Sequence, residues 1–83
     1  MNPSKARHTA HSAIEDALHC DSSIDAGENI DVAISCFEFI WGDSLNDQDL
    51  MALGCLQAAK HNLEYDVDVA IELLKRAQRN IHR

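Results

Sequence analysis

Residues 46–63 read NDQDLMALGCLQAAKHNL, and this stretch decides the fold. Asn46 is an N-cap residue type whose side-chain oxygen accepts from the backbone N–H groups of a first helical turn. Asp47 and Asp49 place negative charge at the positive end of the helix dipole, and Leu45 is positioned to staple against Leu50. Ala52, Leu53, Leu56, Ala59 and Leu63 then recur at helical spacing, which predicts a helix over about 46–63.

The same reading extends in both directions. Upstream, Asp25-Ala-Gly-Glu28 resembles a capping box and leads into Ile30, Ala33, Ile34, Phe37, Ile40 and Trp41, with Gly42 as a C-terminal stop, so a second helix is expected over about 25–41. Before it, Asn2 caps with Pro3 at the first helical position. Ala6, Ala10, Ala13, Ile14, Ala17 and Leu18 form one stripe, giving a helix over about 3–20 whose alanine-rich face suits close packing. Downstream, Asp66 caps a helix over about 66–82 with Val67, Ala70, Ile71, Leu74, Ala77 and Ile81 on one face and a basic last turn. Three glycines and one proline in 83 residues leave little room for anything else. The fold class is therefore all-α, a compact antiparallel four-helix domain spanning 1–83, with short connections that favour antiparallel neighbours.

A short internal echo runs through two of these helices. Asp31-Val-Ala-Ile34 recurs 37 residues later as Asp68-Val-Ala-Ile71, followed at the same offset by Phe37 and Leu74. The pattern resembles the second helix of a tetratricopeptide hairpin, and Leu53-Gly54 resembles that family's Leu-Gly pair. The Gly-to-Ala interval is too long for that repeat, and the similarity implies no binding residues. Amphipathic patterning of core-facing helices accounts for the echo.

Charge is segregated along the chain. All fourteen acids lie between Glu15 and Glu72 with Lys60 as the only base among them, a net of −13 against +6 in the flanks, which gives −7 overall. In an up-down bundle the first and third turns share a pole. Asp21, Asp25 and Glu28 should then meet Glu64, Asp66 and Asp68 there, with Lys60 nearby. Capping explains Asp25, Asp66 and Asp68 but not Asp21 or Glu64. The other pole should gather Lys5, Arg7, Arg76, Arg79 and Arg83. A second stripe on the 25–41 helix, Val32, Cys36 and Phe39, makes its apolar arc wide. Such an arc fits either an enclosed helix or an interface.

Motifs for chemistry are scarce. His8, His11, Glu15 and His19 lie on the polar side of the first helix, but a metal site needs three or four converging ligands and no second helix supplies them. Neither a nucleophile elbow, a glycine-rich phosphate loop nor an H-E-x-x-H is present, so no enzyme activity, cofactor or metal is expected. Cys20, Cys36 and Cys55 are odd in number and lack C-x-x-C spacing, as expected of reduced, part-buried thiols. The first residues carry no apolar run, so neither a signal peptide nor a membrane span is expected, and the expected location is cytoplasmic. Few aromatics and an acidic centre count against direct nucleic-acid binding.

The expected function is a non-enzymatic binding module, an inhibitor or regulator docking on a basic, nucleic-acid-binding partner protein. The partner-binding residues would be Asp21, Asp25, Glu28, Glu64, Asp66, Asp68, Val32, Cys36 and Phe39. In composition, though not in motif, the chain is similar to immunity proteins and phage-encoded inhibitors of host defence. The alternative is a homodimeric helical scaffold, or a DNA-associated regulator using the basic terminal pole.

Overall fold

Local side-chain chemistry sets where each helix begins. The computed structural model of the chain describes residues 2–40 and 45–81, which form α1 (Pro3–Leu18), α2 (Ser23–Glu38), α3 (Asp47–Asn62) and α4 (Val67–Arg79). Asn2, Asn46 and Asp66 cap α1, α3 and α4 by accepting from Lys5, Asp49 and Val69 N–H. Helix α2 begins two residues earlier than its sequence pattern suggested. Ser22, not Asp25, is its cap, and the Ser22 hydroxyl accepts from Asp25 N–H at 3.1 Å, leaving Asp25 in the first turn where its charge favours the dipole.

The C-terminal ends are shorter than expected. α1 stops at Leu18, and His19 and Cys20 N–H turn to the carbonyls three residues back, a 3₁₀-type tightening. α2 stops at Glu38 with Phe39 as its cap, and the proposed Gly42 stop lies outside the described residues. α4 ends at Arg79, where the Asn80 side chain donates to the Arg76 carbonyl at 2.8 Å. The staple at the start of α3 does not form as a buried pair, since Leu45 packs on the core and Leu50 stays 53% exposed.

The helices form two hairpins, α1 with α2 and α3 with α4, each packed extensively within itself. They meet along a seam through lighter contacts of α2 with α3 and of α4 with α1, which closes the four helices into a ring. Closure of α4 on α1 makes this a bundle, 34 Å long and under 20 Å across, rather than a stack of repeats. The echo agrees: Ala33 and Phe37 are buried like Ala70 and Leu74, but they fall late in α2 and early in α4, so the two copies share a phase and not a place.

Ten of the nineteen buried apolar residues described are alanine, so the helices can approach closely, and Ile14, Ile30, Phe37, Leu56 and Leu74 supply the bulk. The polar side-chain ties between helices concentrate on the seam. Arg7 of α1 grips Asp49 of α3, Lys60 of α3 meets Asp31 of α2, and Gln78 of α4 donates to Glu15 of α1. No described helix is long and apolar enough to cross a membrane.

Candidate functional site

Both tight turns lie at one end of the bundle. Leu18, Cys20 and Asp21 from the first turn line the same hollow as Leu63 and Val67 from the third, so the carboxylates of the two turns share a pole as the charge pattern implied. Asp21, Asp25, Glu28, Glu64, Asp66 and Asp68 are all exposed. Asp66 has a capping role, accepting from Val69 N–H at 3.3 Å. Among the described residues none of the six is in an ion pair. Lys60 puts its ammonium 2.5 Å from Asp31, outside the set, and Arg76 lines a hollow with Asp66 and Asp68 without an ion pair to either. The pole thus keeps its charge in solvent.

Next to this pole a groove runs along the seam between α2 and α3. Its first hollow, about 260 Å³, is lined by Ile24, Gly27 and Leu63 with Glu28 and Glu64 at the rim. Its second, about 500 Å³, is lined by Ile34, Gln57, His61 and Tyr65. Asp31, Lys60 and Glu64 belong to both, so the Asp31–Lys60 pair bridges the groove between the hollows. Ile24 and Tyr65 are each 75% exposed, and Tyr65 leans on the His61 ring with centroids 5.3 Å apart. The chain matches no family model, no curated protein and no solved structure.

The second stripe of α2 is not a continuous surface. Val32 and Phe39 are 49% and 63% exposed, but Cys36 is 4% exposed and belongs to the core, so it makes no surface contact. Cys36 lies three residues after Ala33 and four before Ile40, both buried, and this places it at the edge of the core face. Burial pushes its thiol above the ordinary value. Phe39 also stands at the far end of α2 from the acidic pole, roughly 20 Å away at 1.5 Å per residue. The structure does not join stripe and pole into one contact.

The basic pole is dispersed. Arg7 donates to Asp49 through Nε at 2.9 Å and Nη2 at 2.6 Å, and its side chain is 18% exposed. The hydrogen bond to Asp49 raises the Arg7 pKa above its ordinary value despite the opposing effect of burial. Gln78 meets Glu15, twelve residues beyond Pro3, so the described end of α4 lies along the side of α1 rather than beside Lys5. Arg83 lies outside the described residues.

Of the helix-one cluster, Glu15 accepts from Gln78 Nε2 at 2.5 Å and lies 3.0 Å from His19 Nε2. The Gln78 bond first, then His19, hold the Glu15 carboxyl below its ordinary value. Among the described residues no three His, Cys, Asp or Glu are arranged to hold a metal ion.

Two features escaped the sequence pattern. Asp49, read there only as an acid in a first turn, is 1% exposed and is the only buried charged residue described. Its register gives it away, because Asp49, Ala52, Leu53 and Leu56 share the i, i+3, i+4, i+7 face of α3. The Asp31–Lys60 bridge has no such signal, since its partners are 29 residues apart.

Proposed function

We propose that this protein works by stoichiometric binding, as an inhibitor or regulator that docks its carboxylate pole on a basic surface of a partner protein. The observation that carries this reading is the set of six exposed carboxylates at one end of the bundle, none of them in an ion pair among the described residues, with Lys60 held by Asp31. Charges of one sign collected at one end steer an oppositely charged partner and orient it on arrival. A surface that binds nucleic-acid phosphates is basic in the required way, and carboxylates can occupy the same Arg and Lys side chains.

The test uses Asp21→Lys, Glu28→Lys and Glu64→Lys together, because none of the three caps a helix. Wild type and the triple variant are compared by capture from nuclease-treated lysate of the source cell, and then by direct titration with the captured protein. A basic nucleic-acid-binding protein held by wild type at low salt and bound at least about tenfold more weakly by the variant is the expected result. Equal binding by a variant with an intact helical spectrum overturns the reading.

A further inference from the structure

We propose that the α2–α3 groove is a receptor for a basic amphipathic helix of a partner protein, one that offers two apolar side chains seven residues apart. The inference rests on the docking reading and specifies the partner's shape. Two hollows flank the Asp31–Lys60 bridge, the first walled by Gly27 and the second by Ile34. Those two α2 residues are seven positions apart, about 10 Å of helical rise. A helix lying along α2 presents side chains at i and i+7 on one face at the same separation, so one anchor enters each hollow and the backbone passes over the bridge.

The floor favours such anchors. Gly27 leaves the first hollow open beside Leu63, and Ile34 and Tyr65 give the second an apolar wall. The rim selects the rest of the occupant. Glu28, Asp31 and Glu64 stand against the single Lys60, and the carboxylates of the neighbouring turns extend the same sign. Lys or Arg beside the anchors complements this rim, whereas the acidic pole of a second copy would be repelled by it. The Asp31–Lys60 pair is half exposed on both sides, so an incoming Arg can take over Asp31 at little cost.

The probe is a fluorescently labelled Lys/Ala helical peptide carrying two leucines seven residues apart, read by anisotropy beside an equally charged peptide with both leucines changed to alanine. Burial of the two leucines should make the first bind at least about tenfold tighter. Gly27→Leu fills the first hollow. A Cβ there meets Leu63 Cδ1 at 3.7 Å, an ordinary contact, so the variant should fold and should lose most of the leucine-dependent advantage.

Equal affinity for the two peptides, with both lost in the triple Lys variant, overturns the groove but leaves the docking reading standing. Leucine-dependent binding that ignores the triple variant overturns the docking reading, and with it the basic character of the occupant. Failure of both peptides to bind, or indifference to Gly27→Leu, rejects the groove. Concentration-dependent dimerisation of the protein alone that Gly27→Leu abolishes would reject a foreign helix and name a second copy instead.

Discussion

Asp49 occupies a position where the helical pattern calls for an apolar side chain, and its charge is met by donors that include Asn46 N–H and the Arg7 guanidinium. Asn46 N–H donates to Oδ2 at 3.1 Å, completing a reciprocal capping box, while Arg7 supplies a bidentate fork from α1. A planar guanidinium suits this geometry and a lysine does not. Changing Asp49 to Asn keeps the shape but removes the buried carboxylate that Arg7 grips through Nε and Nη2. The expected loss is about 3 kcal/mol in urea unfolding, the low end for breaking a buried pair because Arg7 keeps some solvent. If the Arg7→Met background reduces that loss by 1 kcal/mol or more, the coupling is direct. Arg7 has its pKa raised, so its contribution is complete below the ordinary guanidinium value and is lost only as pH rises through the higher folded value, beyond the range in which the domain can be titrated.

Helix starts were the most legible elements because a cap is decided within four residues. Asn2 with Pro3, Asn46 and Asp66 act as their residue types suggest. The start of α2 was ambiguous because Ser22 and Asp25 are both cap formers three residues apart, and the hydroxyl won. Cys36 was misplaced for a related reason: at the edge of an apolar arc, periodicity gives the angle of a residue but not where the neighbouring helix stops. The seam was illegible, since the pairing of Asp31 with Lys60 depends on how two hairpins dock. Gly54, which invites comparison with a close-packed Leu-Gly pair, has nothing within 4 Å of where a Cβ would lie. It sits mid-way along α3 at an exposed position, so Gly54→Ala should raise stability by about 0.5–1 kcal/mol, visible as a higher thermal midpoint. No change, or a loss, would mean that the helix packs against something at that point.

At the scale of the molecule, two groups contribute to stability with opposite pH dependence. Glu15 is held low by Gln78 and His19, so what it contributes is complete above the ordinary carboxyl value of 4.5 and is lost as pH falls through its lower folded value. Cys36 is pushed up by burial, so its neutral form favours the fold below the ordinary thiol value of 9.0, and that preference is lost as pH rises through the folded value. Urea midpoints measured across pH should therefore fall at both ends. Glu15→Gln should flatten only the acid limb and Cys36→Ala only the alkaline one. A limb unmoved by its own substitution would show that other groups control it.

The seam has a consequence for how the chain reaches its structure. Each hairpin is built from residues close together in sequence, and its alanine-rich faces can zip without waiting for the other half. Pairings of that kind cost little loop entropy, which places the domain among fast-folding topologies. The distant partners, Arg7 with Asp49, Asp31 with Lys60 and Glu15 with Gln78, can meet only after both halves exist. They act as a latch thrown last, and mutations there should hasten unfolding more than they slow folding.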